Sequence, residues 1–424
     1  MLTAIVIVFV AAYVAIALEH PLGVNKSASA LIGAGLLWTI YALLAGDAHR
    51  VSEQLGETLM GTAQIVFFLM GAMTIVEVVD AHNGFDVITA RIKTARLSSL
   101  MWLVGIVSFF LSAILDNLTT TIVMVSLIRK LLHKQDDRLF FAGVIVIAAN
   151  AGGAWTPIGD VTTTMLWIGG QVTSLSIMKA LFLPSLASLA VPLGVTAFLL
   201  RGRPVISPPR DGSDADHHTT PFERNLMFFL GLAILVAVPA FKTITHLPPF
   251  MGILFGLGLL WLVGDLVHRR KLEDDKQRLT LVHALSRIDM ASIVFFIGIL
   301  LAVATLEHTH LLASLAAWLS RTIGRLDLIV MSIGLASAVV DNVPLVAASM
   351  GMYSLADYPA DHFIWEFLAY CAGTGGSILI IGSAAGVAAM GLERISFGWY
   401  LKHISLLALL GYLAGAAVYL VEFA

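Results

Sequence analysis

Cysteine occurs once, at Cys371, and Asp, Glu, Lys and Arg together make up only 12% of the 424 residues. A single cysteine excludes a disulfide framework and any multi-cysteine metal cluster. So little charge cannot clothe a soluble domain, which ordinarily carries about a quarter charged residues; a soluble enzyme is excluded. The formal charge of −3 gives no basis for a nucleic-acid partner. Apolar residues, by contrast, make up 58% of the chain, and the mean hydropathy is +0.90. The apolar runs are continuous rather than alternating, which argues against a transmembrane barrel. They point to an all-α polytopic membrane protein surrounded by lipid, because each span needs about 20 apolar residues.

Spans are predicted at Leu2–Leu18, which is long enough to stay in the membrane rather than be cleaved, and at Ala28–Ala45 and Thr58–Asp80. A polar stretch, His82–Arg96, reads as a surface helix. The tract Leu97–Leu132 has polar residues at its middle, and Leu139–Ile168 is interrupted by Asn150-Ala-Gly-Gly-Ala-Trp-Thr-Pro-Ile-Gly159. After a span at Ser176–Leu200, residues 201–222 are rich in Pro, Asp and His and read as a cytoplasmic linker. Within it, His217-His218 lacks partners at ligand spacing and reads as linker, not metal site. Two spans and a charged cytoplasmic loop fill 223–288.

The second half repeats the first. Ile65-Val-Phe-Phe68 recurs as Ile293-Val-Phe-Phe296, Asp116-Asn117 as Asp341-Asn342, and the Gly-rich interruption as Gly373-Thr-Gly-Gly-Ser-Ile-Leu-Ile-Ile-Gly382. The offsets are 228, 225 and 223 and the order is kept, which marks an internal duplication. The units are therefore 1–57, 58–200, 201–222, 223–288 and 289–424. Each repeat has a hairpin, at about 97–132 and 326–356, and a broken helix, at about 139–168 and 362–390. Placing 20 of the 25 Lys and Arg, Lys26 among them, on the cytoplasmic side satisfies the positive-inside rule. That placement makes both hairpins re-entrant, gives the repeats inverted topology, and leaves the N-terminus outside.

Asp116 and Asp341 lie mid-tract, where a carboxylate costs about 2.5–3.5 kcal/mol on insertion scales and needs a partner or a task. A helix cap at a hairpin turn is the structural alternative. The broken helices offer freed carbonyls with Asn150, Thr156, Thr162 and Thr163 in one half and Thr374, Ser377 and Ser383 in the other. These are hard oxygen ligands suited to Na⁺ or Li⁺, and paired broken segments in corresponding halves mark a transporter's site; close packing through small residues is the alternative. Asp160 follows the first break, whereas its counterpart is Ser383, so the halves differ chemically. Glu77, Asp80, Glu307 and His308 sit at span ends, where charges are usually solvated; coupling or pH sensing is the other role open to them. No Lys or Arg falls in the hairpin centres or the breaks, so the field there is expected to be negative and the passenger a cation.

The tips Asp116-Asn117-Leu-Thr-Thr and Asp341-Asn342-Val-Pro, the stretch from Asn150 to Thr163, and Gly373-Thr-Gly-Gly-Ser377 resemble the NhaD-type sodium/proton antiporters of the ion transporter superfamily. The resemblance runs from about residue 55 to the C-terminus. It implies a homodimer in a bacterial inner membrane, each protomer having a scaffold part and a transport part that moves as an elevator. It further implies no cofactor and no enzymatic reaction, but exchange of cytoplasmic Na⁺ or Li⁺ for external H⁺, serving pH homeostasis and salt tolerance. Superfamily relatives that carry dicarboxylates have Ser-Asn-Thr tips; Asp in both halves here favours a cation. Pro344 stands where the first tip has Thr119, which puts a symmetric pair of ion sites in doubt. Ion binding is thus expected at Asp116, Asn117, Thr120, Asn150, Thr156, Asp341, Asn342, Thr374 and Ser377, with Asp160 the leading coupled proton carrier. Two alternatives stand: an Na⁺- or proton-coupled anion transporter for dicarboxylate or arsenite on the same architecture, and an intramembrane aspartyl protease with an Asp116–Asp341 dyad. The duplication speaks against the protease, because each Asp brings its own Asn and its own break.

Overall fold

The protein is described here from a computed structural model covering residues 2–89, 94–206, 219–269, 271 and 273–423. His217-His218, most of the linker and part of the expected surface helix lie outside the described residues. Among the described residues the chain is helical throughout, the exception being one isolated bridge between Arg96 and Pro204. Seven helices among the described residues are long and apolar enough to cross a membrane: Lys26–Leu44, Ala48–Ala81, Ser174–Leu199, Pro221–Thr245, Pro249–His268, Met290–His308 and Ser405–Phe423. Large apolar side chains such as Ile244, Phe255, Phe198 and Val421 face outward. A surface of that kind matches hydrocarbon rather than water.

The helix boundaries follow local chemistry. Thr220 and Glu223 form a reciprocal capping box with Pro221 at the first helical position. Asp47 caps Ala48–Ala81, so this helix starts ten residues before the predicted Thr58 and runs for 34 residues. At about 1.5 Å per residue it is longer than the ~30 Å hydrocarbon layer. Its polar first turns are anchored by the Gln54 carboxamide, which accepts from the Tyr41 hydroxyl at 2.8 Å.

The helices pack in two groups. In one, Lys26–Leu44 lies against Leu2–Ala17 and Met290–His308, while Ala48–Ala81 contacts Pro221–Thr245, Pro249–His268 and Met290–His308. In the other, Ser174–Leu199 packs on Ser405–Phe423, on Leu97–Ser112 and on both Gln135–Gly153 and Phe363–Gly375, while Ser405–Phe423 contacts Phe363–Gly375 and its Tyr412 hydroxyl donates to the Met331 carbonyl at 2.9 Å. The groups meet mainly where Ala48–Ala81 touches Val161–Ile168 and where Met290–His308 touches Asn342–Met352.

The first hairpin is Leu97–Ser112 and Asn117–Leu131, the second Leu326–Ala336 and Asn342–Met352; the broken helices are Gln135–Gly153 with Val161–Ile168, and Phe363–Gly375 with Ala384–Glu393. The two halves share one matching contact between hairpin and broken helix. The Ser112 hydroxyl donates to the Ala149 carbonyl at 2.6 Å, and the Ser337 hydroxyl to the Ala372 carbonyl at 2.8 Å.

The glycines require a correction. Sequence reading places Gly152, Gly153, Gly375 and Gly376 in the interruption, yet Gly152, Gly153 and Gly375 lie in the last helical turn and Gly376 caps the second helix. Their role is close approach. A Cβ on Gly152 would collide with the Phe109 carbonyl, and one on Gly375 with the Gly334 carbonyl. Each hairpin backbone thereby seats directly on its broken helix. Gly152→Ala is expected to cost several kcal/mol, in the upper range of overpacking, and to sharply reduce the folded fraction in detergent gel filtration. Gly391→Ala, where a Cβ meets nothing within 4 Å, is expected to leave that fraction unchanged.

Candidate ion site

Asn117, Asn150, Asp160, Asn342, Ser377 and Ser383 are buried together where the two hairpin tips meet the two breaks. The Asn117 carboxamide donates to Asn150 Oδ1 at 3.0 Å and to Asp160 Oδ2 at 2.8 Å. The Asn342 amide, from the other repeat, reaches the same Asp160 Oδ2 at 3.4 Å. Asn150 crosses in the opposite sense, its Nδ2 donating to the Ser377 and Ser383 hydroxyls, each at 2.9 Å. Asp160 Oδ1 takes the backbone N–H of Thr162 at 3.0 Å, capping the helix that restarts there. One carboxylate therefore receives the amides of both tips, and its site is closed by residues from both repeats.

The two tip aspartates sit at the edge of this cluster, half-buried, and both are helix caps. Asp116 accepts from the Thr119 N–H at 2.7 Å and its hydroxyl at 2.9 Å. Its backbone has φ 139° and ψ 165°, a region essentially reserved for glycine that costs of order 1–3 kcal/mol. Asp341 has an ordinary backbone, φ −46° and ψ 136°, and caps through Val343 N at 3.3 Å. The tips are thus equivalent in position and unequal in strain.

Of the other predicted site residues, Thr156 donates its hydroxyl to the Ala113 carbonyl at 2.6 Å, tying the break to the first tip. Thr374 donates back to the Tyr370 carbonyl within its own helix at 2.6 Å. The Thr120 and Thr162 hydroxyls are buried without a hydrogen-bond partner among the described residues. The span-end groups are not brought to the cluster. Glu77 pairs with Arg287 at 2.7 Å and, with Asp80, Asp289 and Lys130, lines a cavity of about 280 Å³ that reaches Leu118 and Thr119 of the first tip. Glu307 and His308 line a separate cavity of about 490 Å³, with His308 Nε2 lying 3.3 Å from the Thr58 hydroxyl.

No Lys or Arg lies in the hairpin centres or the breaks, yet one basic side chain from another helix reaches the second tip. Lys26, distant in sequence, places its Nζ 2.7 Å from Asp341 Oδ2. Only the fold brings them together, and spacing along the chain carries no signal of it. Ser383 joins the cluster as a partner of Asn150, in the position where the first repeat has Asp160.

The citrate transporter family matches residues 5–366. Sodium/proton antiporter 1 of Arabidopsis thaliana is 50% identical over 98% of this chain and 72% of its own length. The Na⁺/H⁺ antiporter NhaD of Alkalimonas amylolytica is 32% identical over 97% of this chain and 89% of its own. Among solved structures, the YdaH transporter of Alcanivorax borkumensis, described as having an unusual topology, aligns with a TM-score of 0.54 at 13% identity, covering 93% of this chain and 96% of that one. That likeness is one of fold. Family match and near-full-length relatives together show that this membrane chain belongs to the citrate transporter family and, within it, to the NhaD-type sodium/proton antiporters.

Proposed function

We propose that the protein exchanges Na⁺ (or Li⁺) for H⁺ by competition at buried carboxylates. The observation that carries this reading is the convergence of Asn117 and Asn342, from opposite repeats, on Asp160 Oδ2. A buried carboxylate surrounded by neutral amides and hydroxyls can be neutralised by a proton or by a metal ion, and binding one disfavours the other. With the carboxylate unmetallated, the amides donate N–H to it. Rotation of Asn117 and Asn342 about χ2 turns their Oδ1 atoms inward, giving an Na⁺ ion hard oxygen ligands beside Asp160. Asn150, Ser377 and Ser383 hold the far wall, and Asp116 and Asp341 supply the negative charge at either tip.

Exchange is obligatory if the loaded and protonated forms cross and the bare anion does not, since an uncompensated charge is the costly species in hydrocarbon-like surroundings. The division into two packing groups supports an elevator, with the hairpins and broken helices as the moving part and the helices around Ala48–Ala81 and Met290–His308 as the scaffold. Inverted repeats, which rest on the placement of the basic residues, complete the reading together with a homodimer and Na⁺ export across a bacterial inner membrane in the service of salt tolerance, which rest on the family resemblance.

Everted vesicles carrying the protein, energised to acidify the lumen, test it. Addition of Na⁺ or Li⁺ as the sole solute is expected to dissipate the pH gradient, and Na⁺ is expected to release protons from the purified protein. The description of the family as citrate transporters favours a second reading, a cation-coupled carrier of a carboxylate. A response that requires added citrate would establish that reading in place of the first.

A further inference from the structure

The second tip carries an ion pair that the exchange scheme does not use. Lys26 is the first residue of Lys26–Leu44, in the group proposed as scaffold, and Asp341 is the cap of Asn342–Met352, in the group proposed to move. Their 2.7 Å contact joins the two groups, with the side chains 22% and 13% exposed. The ammonium also lies 4.5 Å from the centroid of the Phe295 ring. Glu19 braces this corner by accepting the Lys26 backbone N–H at 3.1 Å. A cavity of about 320 Å³ is lined by Glu19, Lys26, Asp341 and Ser383, so the pair faces open space beside the ion cluster rather than packed core. A buried pair of this kind contributes little net stability, because desolvation offsets the Coulomb gain. Its position suits a different task.

We propose that the Lys26 ammonium is a tethered stand-in for the transported cation. It neutralises Asp341 while no Na⁺ is there, gives way when Na⁺ arrives, and in leaving unfastens the second hairpin from the scaffold. Replacing one monovalent cation by another leaves the Asp341 carboxylate compensated throughout, so the swap avoids the cost of a bare carboxylate, and the displaced ammonium turns into the adjoining cavity. A tethered competitor also sets affinity: if it holds the site nine-tenths of the time, it weakens apparent binding about tenfold. The inference rests on the antiporter reading.

Two measurements test it. In everted vesicles the half-saturating Na⁺ concentration of Lys26→Gln is expected to fall about tenfold, whereas Lys26→Arg, which keeps the charge, stays near or above wild type. On purified wild-type protein, acylation of the Lys26 amine, followed by mass spectrometry, is expected to rise several-fold when Na⁺ replaces choline, because an amine no longer held by Asp341 is open to the reagent in the adjoining cavity. In Asp341→Asn the labelling should already be high and indifferent to Na⁺. Half-saturation unchanged in Lys26→Gln, or labelling of wild type insensitive to Na⁺ in a preparation that exchanges it, would overturn the proposal and leave the antiporter standing. The labelling arm needs no variant to fold. Wild-type vesicles that fail to exchange Na⁺ for protons remove the antiporter reading itself, whatever the labelling shows.

Discussion

Asp160→Asn is expected to abolish Na⁺-driven proton movement in everted vesicles while the protein still folds. The substitution preserves size and shape, and the Asn oxygen can still accept the Thr162 N–H that caps Val161–Ile168. At the other atom an NH₂ group would face the amide N–H groups of Asn117 and Asn342, donor against donor, where Oδ2 now accepts both. The charge that both cations compete for is gone. Loss of hydrogen bonds to a charged group costs about 1.5–3 kcal/mol, and removal of a buried charge returns part of that, so the melting temperature should move by a few degrees only. Asp160→Glu retains the charge but lengthens the arm in a closed site, and should exchange weakly. Exchange at the wild-type rate in Asp160→Asn would take this residue out of the mechanism and shift the burden to the tips.

The likeness of the two halves is legible in the sequence because their motifs nearly keep their spacing: the separations Asp116 to Gly152 and Asp341 to Gly375 differ by only two residues. The chemical asymmetry was legible too, as Asp160 opposite Ser383. What the chain could not disclose is which side chain lies at the centre. Asp116 and Asp341 are the most conspicuous carboxylates in the apolar tracts, yet the cluster forms around Asp160, because each tip turns its Asp to cap its own helix and its Asn inward. Two adjacent residues at a helix start point in different directions, and spacing alone does not say which one faces the partner repeat. Lys26 was hidden for a related reason: it sits at the mouth of an apolar span, where positive charge is read as an orientation signal. The early start of Ala48–Ala81 was missed because its first turns are polar, and their helical state depends on the Asp47 cap and on contacts such as Tyr41 with Gln54.

Asp116→Gly is expected to give a protein at least as stable as wild type that no longer exchanges Na⁺. The backbone at this position occupies a region where a side chain is strained, and glycine removes a cost of order 1–3 kcal/mol. Against that stands the cap, for which glycine gives up only a few tenths of a kcal/mol relative to Asp, together with the second bond from the Thr119 hydroxyl. The balance favours the variant by about 1 kcal/mol, which for a chain of this size is a rise of a degree or two in thermal unfolding. Asp341→Gly supplies the contrast. Its backbone is relaxed, so nothing is recovered, and Lys26 loses its partner; this variant should unfold well below wild type. If Asp116→Gly melts as low as Asp341→Gly, the strain at the first tip contributes nothing measurable. If it still exchanges, the Asp116 carboxylate has no part in transport. The combination expected, stability kept and transport lost, would mean that the strain at the first tip is maintained because the carboxylate has to be held there, between the cavity lined by Leu118 and Thr119 and the amides that surround Asp160.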